Sequence, residues 1–172
     1  VVSAGADQIF RELTPAQIAG LPRYDGELVM TSHGAGCYTS QAAMKRWNRR
    51  NEVLADAAER AATLAWWLGA KEYPHEELER AWTRFLWHQF HDDLTGTSIP
   101  EAYTFSWNDE LLSQQEFAQV LTDAVAAVAR GMDTDVKGEP IIVFNPLGFE
   151  RTDLVTVDCL CCDSHCEVFV PD

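Results

Sequence analysis

The residues best suited to chemistry lie together between positions 87 and 98 of this 172-residue chain. His91 is followed directly by Asp92, and a Thr-Gly-Thr sequence at 95–97 then breaks the helical pattern. An imidazole nitrogen and a carboxylate oxygen are both ligand types that zinc uses in proteins. If the pair is buried it needs a polar partner, because burying an unpaired polar group is unfavourable. The pair therefore predicts either a structural contact or part of a catalytic site.

This motif does not by itself specify a complete metal site. His88 and His91 are three residues apart, so both can face one side of a helix. The sequence has neither the two Glu-x-x-His motifs of a di-iron bundle nor the His-Glu-x-x-His motif of a metalloprotease. It also has no nucleophile elbow and no phosphate-binding glycine loop. A lone histidine near a helix end is more often structural than a ligand, and both interpretations stay open.

The cysteines offer a second place for a metal. Cys37 stands alone, whereas four cysteines lie within the sequence Cys-Leu-Cys-Cys-Asp-Ser-His-Cys at 159–166. The spacing lacks two clean Cys-x-x-Cys units, and the flanking segments 153–158 and 167–170 alternate as strands do. The pattern favours reduced or locally paired cysteines in a strand–turn–strand, with a metal site as the alternative.

Composition excludes some classes of function. The net charge of −14 argues against binding nucleic acid, whose phosphates must be neutralised by Lys and Arg. No run of eighteen apolar residues is available to span a membrane.

The basic residues at 45–50 indicate either a solvated face or a contact with acids of a neighbour. Tryptophans at helical spacing favour a core, with a sugar-stacking platform as the alternative.

Three helices are predicted to position the 87–98 stretch. The first carries a heptad-like apolar stripe, the second starts at a proline suited to a first helical turn, and the third ends at a glycine. Short connections between long helices are typical of an antiparallel bundle. The predicted helices run from Thr39 or Ser40 to Leu68, from Pro74 to Asp93 or Leu94, and from Ser98 or Pro100 to Gly131.

The two ends of the chain differ from this helical region. Residues 1–37 are predicted to be an irregular lead-in with one short helix, which Thr14 caps and Gly20 ends. After Gly138, an apolar run at 140–144 precedes an Asn-Pro turn and two further strand-like runs. Three short strands do not complete a sheet, and the chain starts at Val1 without an initiator Met. We therefore expect a segment cut or processed from a longer protein.

The predicted fold class is mainly α. It consists of a three-helix bundle at 38–133, followed at 134–172 by a few β-strands that begin a truncated β-sandwich.

Three stretches in this order resemble the retaining α-mannosidases of glycoside hydrolase family 38, especially the bacterial type. They comprise residues 36–52, residues 87–100 and residues 143–147. The similarity extends from about residue 20 to residue 158, and the His-Asp-x-Leu-x-Gly-Thr sequence beginning at His91 is its most specific part. This resemblance implies a larger enzyme with an N-terminal α/β catalytic domain, a three-helix middle domain and C-terminal β-sandwich domains. The chain matches the middle domain and the first strands of the sandwich.

The resemblance also implies roles for individual residues. His91 matches a zinc ligand that the middle domain supplies, and Asp92 matches a carboxylate that contacts hydroxyls of the bound mannose. Asp93 stands where subgroups of the family differ, so it receives no role. The remaining zinc ligands, the nucleophile and the acid/base residue belong to the catalytic domain of the family. No catalytic residue is therefore expected in this chain, which we expect to be inactive alone and not to hold Zn²⁺ alone.

The implied partners are a mannose-containing oligosaccharide, the N-terminal catalytic domain and the C-terminal β-domains. Two other classes of function are kept as alternatives. One is a stand-alone helical interaction module that docks through the basic residues at 45–50. The other is a metal sensor built on the cysteines at 159–166. A cytoplasmic and a periplasmic location in a bacterium both fit the sequence.

Overall fold

A computed structural model describes residues 3–27, 34–136 and 138–157 of the chain. The chain divides into two units, Val1–Tyr38 and Thr39–Asp172. The first unit contains α1 (Gln8–Glu12), α2 (Pro15–Ala19) and a 3₁₀-helix (Ala35–Tyr38). The sequence pattern correctly predicted α2, which Thr14 and Gln17 cap reciprocally. It did not predict α1.

Three long helices dominate the second unit. They are α3 (Ala42–Trp67), α4 (His75–Trp87) and α5 (Pro100–Ala129). Helix α5 packs along both α3 and α4, whereas α3 and α4 touch each other little. The predicted three-helix bundle is therefore present, with α5 as its central member.

Helix α3 faces α5 with small residues. The predicted heptad-like stripe has two rows. Met44, Asn51, Ala58 and Ala65 of the first row are buried; in the second row Ala61 is buried, Trp47 and Leu54 are half-buried, and Leu68 is exposed, so the prediction is wrong for Leu68. Alanines dominate this face, and they pack in one core cluster with the buried residues of α5. Asn51 is the one polar member of the stripe, and its amide donates a hydrogen bond to the backbone carbonyl of Glu110 at 3.0 Å. The N–H group of this buried amide is thereby partnered.

Helix α4 contributes the large aromatic part of the core. Phe85 is buried, and its ring lies edge-on to the ring of Phe117 from α5, with centroids 6.5 Å apart. Trp82 packs against both rings and donates its indole N–H to Glu59 of α3 at 2.8 Å. Leu78 is also buried, as predicted, but Phe90 is exposed and does not belong to this face.

The prediction that α4 continues to Asp93 or Leu94 is wrong, because the helix ends at Trp87. Residues beyond this point form successive turns whose backbone groups bond to side chains from other elements. Tyr103, for example, donates its hydroxyl to the carbonyl of Asp92 at 3.1 Å. Such side-chain contacts to the backbone compete with the regular helical hydrogen bonds.

The strands predicted after residue 138 are not found in the part of this region that the structure describes, residues 138–157. The predicted turn is present, because the side chain of Asn145 accepts a bond from Leu147 N at 3.1 Å and donates to Phe149 O at 2.8 Å. Phe144 packs against the bundle core. The apolar run 140–144 has a strand-like composition, but a strand also needs a neighbouring backbone to bond with. The cysteine cluster at 159–166 lies outside the described residues.

Within the described ranges, none of the helices combines the length and the apolar character that crossing a lipid bilayer requires.

Candidate functional site

The candidate site is the turn between α4 and α5, residues 88–98, which we call the His91–Asp92 turn. Its backbone is internally bonded: Asp93 N and Leu94 N donate to Phe90 O at 2.9 and 3.1 Å. Thr97 N closes a wider turn by donating to Asp92 O at 3.2 Å. These bonds give the segment a defined shape in place of a further turn of helix.

Gly96 attaches the His91–Asp92 turn to the start of α3. Its carbonyl accepts the Ser40 hydroxyl at 2.9 Å, while Lys45 donates to the carbonyls of Ser40 and Leu94 at 2.5 and 3.0 Å. Gly96 has a φ of +80°, and a Cβ atom there would lie 2.6 Å from the Ser40 hydroxyl oxygen. Both the backbone conformation and the close approach therefore require glycine at this position.

Tyr103 attaches the same turn to α5. Its buried hydroxyl donates toward the carbonyls of Asp92 at 3.1 Å and Asp93 at 3.3 Å, and it accepts the N–H of Ser98 at 3.1 Å. One phenol oxygen thus satisfies backbone groups on both sides of the turn.

His88 lies on the inner side of the turn and bridges two carboxylates. Its side chain is 5 % exposed, with Nδ1 2.5 Å from Asp93 Oδ2 and Nε2 3.1 Å from Asp109 Oδ2 of α5. The Ser106 hydroxyl donates to Asp93 Oδ1 at 2.8 Å. Burial disfavours the charged ring, but the hydrogen bonds to the two carboxylates and their negative charges outweigh it and raise the pKa of His88.

His91 and Asp92 lie on the outer side. Their side chains are 77 % and 52 % exposed, and His91 Nε2 is 3.3 Å from Asp92 Oδ2. The imidazole packs on the ring of Phe90, with centroids 4.2 Å apart. Thr97 donates its hydroxyl to Asp92 Oδ1 at 3.0 Å, and the Thr95 hydroxyl bonds to His91 O. The turn thus presents an accessible imidazole beside an oriented carboxylate.

A pocket of about 700 Å³ opens beside the turn. Trp87, Phe90 and Phe105 contribute exposed aromatic rings to it, and His88 and Ser106 contribute polar groups. The prediction that tryptophans at helical spacing belong to the core is wrong for Trp87 and also for Trp66 and Trp67 at the end of α3, because all three are exposed. It holds better for Trp82, which packs against buried rings.

A buried carboxyl group lies close to this network. Glu110 of α5 is fully buried and accepts a hydrogen bond from the Asn51 amide. Burial raises its pKa from 4.5 to about 7, against the lowering effects of the Asn51 hydrogen bond and the His88 charge. Glu110 Oε1 and Asn51 Oδ1 have no hydrogen-bond partner among the described residues.

The two predicted site residues, His91 and Asp92, lie side by side on the outer side of the turn, and their roles stay predictions. The spacing of His88 and His91 predicted that both face one side of a helix. This prediction is wrong, because α4 ends at Trp87, before both residues. The described residues include no group of three or more His, Cys, Asp or Glu side chains that could hold a metal ion. One exposed ring nitrogen beside a carboxylate fits a contribution of a single ligand to an ion whose other ligands lie elsewhere.

Sequence reasoning missed the residues that support the turn. Helix α5 carries Tyr103, Ser106, Asp109 and Glu110 at helical spacing along one side. A polar stripe on a helix that also packs in a bundle was the available signal. Asp93 was given no role, although it is the acid that joins this stripe to His88.

Comparison with known proteins adds an independent finding. The family described as the alpha mannosidase middle domain matches residues 33–129. Alpha-mannosidase 2C1 of Mus musculus is 30 % identical over 133 residues, which cover 77 % of this chain and 12 % of that protein. Alpha-mannosidase G of Dictyostelium discoideum is 36 % identical over 96 residues, 56 % of this chain and 9 % of that protein.

A third relative, an alpha-mannosidase of Saccharomyces cerevisiae, is 34 % identical over 87 residues, 49 % of this chain and 8 % of that protein. The chain therefore spans about a tenth of the length of these relatives. No solved structure matches it.

Proposed function

The chain belongs to the family of α-mannosidase middle domains, and from that premise we propose that it works as part of a retaining, zinc-dependent α-mannosidase. The substrate class is a mannose-containing oligosaccharide with a terminal α-mannosidic bond. The proposal is supported by the relatives, which carry the name alpha-mannosidase. Whether the enzyme is of the bacterial type stays a prediction.

His91 is proposed as one zinc ligand. The observation that carries this role is the exposure of its imidazole on a turn whose backbone is fixed by Tyr103, Thr95 and Gly96. A ligand must point away from its own domain to share an ion with another one. Zinc bound there would supply a Lewis acid and a template for sugar hydroxyls.

Asp92 is proposed to accept hydrogen bonds from mannose hydroxyls. Its carboxylate is half exposed and is oriented by the Thr97 hydroxyl on Oδ1. Charged acceptors make shorter and stronger hydrogen bonds to hydroxyls than neutral acceptors do. Asp92 would thus fix the sugar beside the ion that His91 helps to hold.

No catalytic residue is assigned to this chain. A retaining glycosidase uses a carboxylate nucleophile and a second carboxyl group that acts as acid and then as base, about 5–5.5 Å apart. We place both groups, with the other zinc ligands, on an N-terminal catalytic domain. We further propose that residues 134–172 begin a β-sandwich domain, with Phe144 packed against the bundle core.

The test of His91 uses the full-length protein that contains this chain. His91→Ala should lose bound zinc, measured by elemental analysis, and should fall at least about a hundredfold in kcat/KM on an aryl α-mannoside, because the metal supplies several kcal/mol. His75→Ala, which removes another exposed histidine, is the matched control and should change neither. Full zinc content and activity in His91→Ala would remove this residue from the metal site.

A second experiment tests the proposal that the catalytic groups lie outside this chain. The 172-residue chain alone, supplied with Zn²⁺ and an aryl α-mannoside, should show no turnover above buffer. Sustained turnover that disappears in His91→Ala would show that the catalytic groups lie within this chain.

A further inference from the structure

We propose that His88 is a positioning residue: by joining Asp93 of the turn to Asp109 of α5, it fixes the direction in which His91 and Asp92 are presented. This inference rests on the proposed function, since it assigns a purpose to the turn. Its physical basis is independent of that function. The imidazole contacts both carboxylates through different ring nitrogens, at 2.5 and 3.1 Å.

The two contacts favour the charged form of the ring. A protonated imidazole donates through both nitrogens, and each ring nitrogen of His88 faces a carboxylate oxygen. The position of His88 at the C-terminal end of α4 also favours a positive charge, because the helix dipole is negative there. His88 therefore acts as a charged bridge between a turn and a helix.

His88 cannot itself act on a substrate. Its side chain is 5 % exposed, and both nitrogens are occupied. Its effect must pass through Asp93, which follows Asp92 in the chain and also receives the Ser106 hydroxyl on Oδ1 at 2.8 Å. With both carboxylate oxygens held, Asp93 has little freedom to rotate, and the preceding peptide is fixed with it.

The contribution of this bridge is local. The core that holds α4 against α5 is built from Phe85, Phe117 and their apolar neighbours, and it does not depend on Asp93. Loss of the Asp93 carboxylate should therefore release the turn while the helices stay packed. A residue that served only general stability would instead loosen the whole bundle.

Hydrogen exchange of the full-length protein separates these two roles. In Asp93→Ala, peptides covering residues 89–98 should exchange about tenfold faster, with no change in peptides from the centre of α5. Asp93→Asn keeps an oxygen acceptor and should show a smaller effect. The control Asp123→Ala breaks the exposed Lys71–Asp123 ion pair at 3.0 Å and should leave the turn unchanged. Equal acceleration across the bundle in Asp93→Ala would overturn the proposal.

Zinc affinity gives a second readout. Groups that orient a ligand from outside the first coordination shell contribute about 10–100-fold to metal affinity, so Asp93→Ala and His88→Ala should each weaken zinc binding about tenfold. If His91→Ala loses zinc but these variants bind it normally, His88 has no positioning role. If His91→Ala retains zinc while Asp93→Ala still releases the turn, the proposed function fails and the bridge stands as a structural feature.

Discussion

The Ser40 hydroxyl donates a hydrogen bond to the carbonyl of Gly96 at 2.9 Å, although the two residues are 56 positions apart. Ser40 precedes α3, and Gly96 lies in the His91–Asp92 turn. The contact allows no side chain on Gly96, because a Cβ atom would come within 2.7 Å of the Ser40 carbonyl oxygen. The start of one helix thereby sets the shape of the turn between the other two.

Gly96→Ala should therefore destabilise the chain more than an ordinary glycine substitution. The positive φ costs an alanine about 1 kcal/mol or more, and overpacking against Ser40 adds about 1–3 kcal/mol. Gly69→Ala is the matched control, since Gly69 also has a positive φ (+67°) but nothing within 4 Å of its added Cβ. Chemical denaturation followed by circular dichroism measures both. Equal losses for the two variants would mean that the contact with Ser40 relaxes freely.

Tyr103→Phe should also destabilise the turn. The substitution keeps the buried ring but leaves Ser98 N without its partner, while the carbonyl of Asp92 keeps only its bonds from Thr97. Leaving buried backbone groups unpaired costs about 1–3 kcal/mol. Thr104→Val removes an exposed hydroxyl from the same helix and should cost less than about 0.5 kcal/mol. If Tyr103→Phe loses no more unfolding free energy than this control, water replaces the phenol hydroxyl.

Phe85→Ala should have the largest effect on the bundle. Phe85 is fully buried against Trp82 and Phe117, and removing such a ring costs about 3–5 kcal/mol. Phe105→Ala removes the same ring from an exposed position on α5 and should leave the free energy of unfolding nearly unchanged. A substantial loss of unfolding free energy in Phe105→Ala would show that other residues of this chain cover the Phe105 ring and the pocket beside the turn.

The bundle could be predicted from sequence because its signals are local. The stripe that includes Met44 and Ala58 has a helical period, and Pro100 marks the start of α5. The end of α4 could not be predicted in this way. The turns that follow it are held by contacts from α5, such as the bond from the Tyr103 hydroxyl to the carbonyl of Asp92, and no local pattern near residue 88 reveals such contacts.

The candidate site was likewise predictable only where its signals are local. His91 and Asp92 were found because a short motif contains both. Their support by Asp109 requires knowing that α5 returns beside the end of α4, which is a tertiary fact. Composition also favoured strands after residue 138, but the described residues there have no partner strand.

Glu110→Gln provides a test in which pH decides the size of the effect. The pKa of Glu110 is raised from 4.5 to about 7 in the folded chain, so the folded state holds a proton that the unfolded state has released between these values. Stability attributable to this group is fully present below pH 4.5 and falls as the pH rises to about 7. Above pH 7 the accumulated loss is about 3 kcal/mol.

Glutamine has nearly the same shape and carries no charge. Glu110→Gln should therefore stabilise the chain by about 3 kcal/mol at pH 8 and by only about 1 kcal/mol at pH 5. Urea denaturation at the two pH values measures this difference. Glu101→Gln, at an exposed position of the same helix, should not reproduce it. A gain for Glu110→Gln that is equal at both pH values would show that Glu110 is not protonated in the folded state near pH 5.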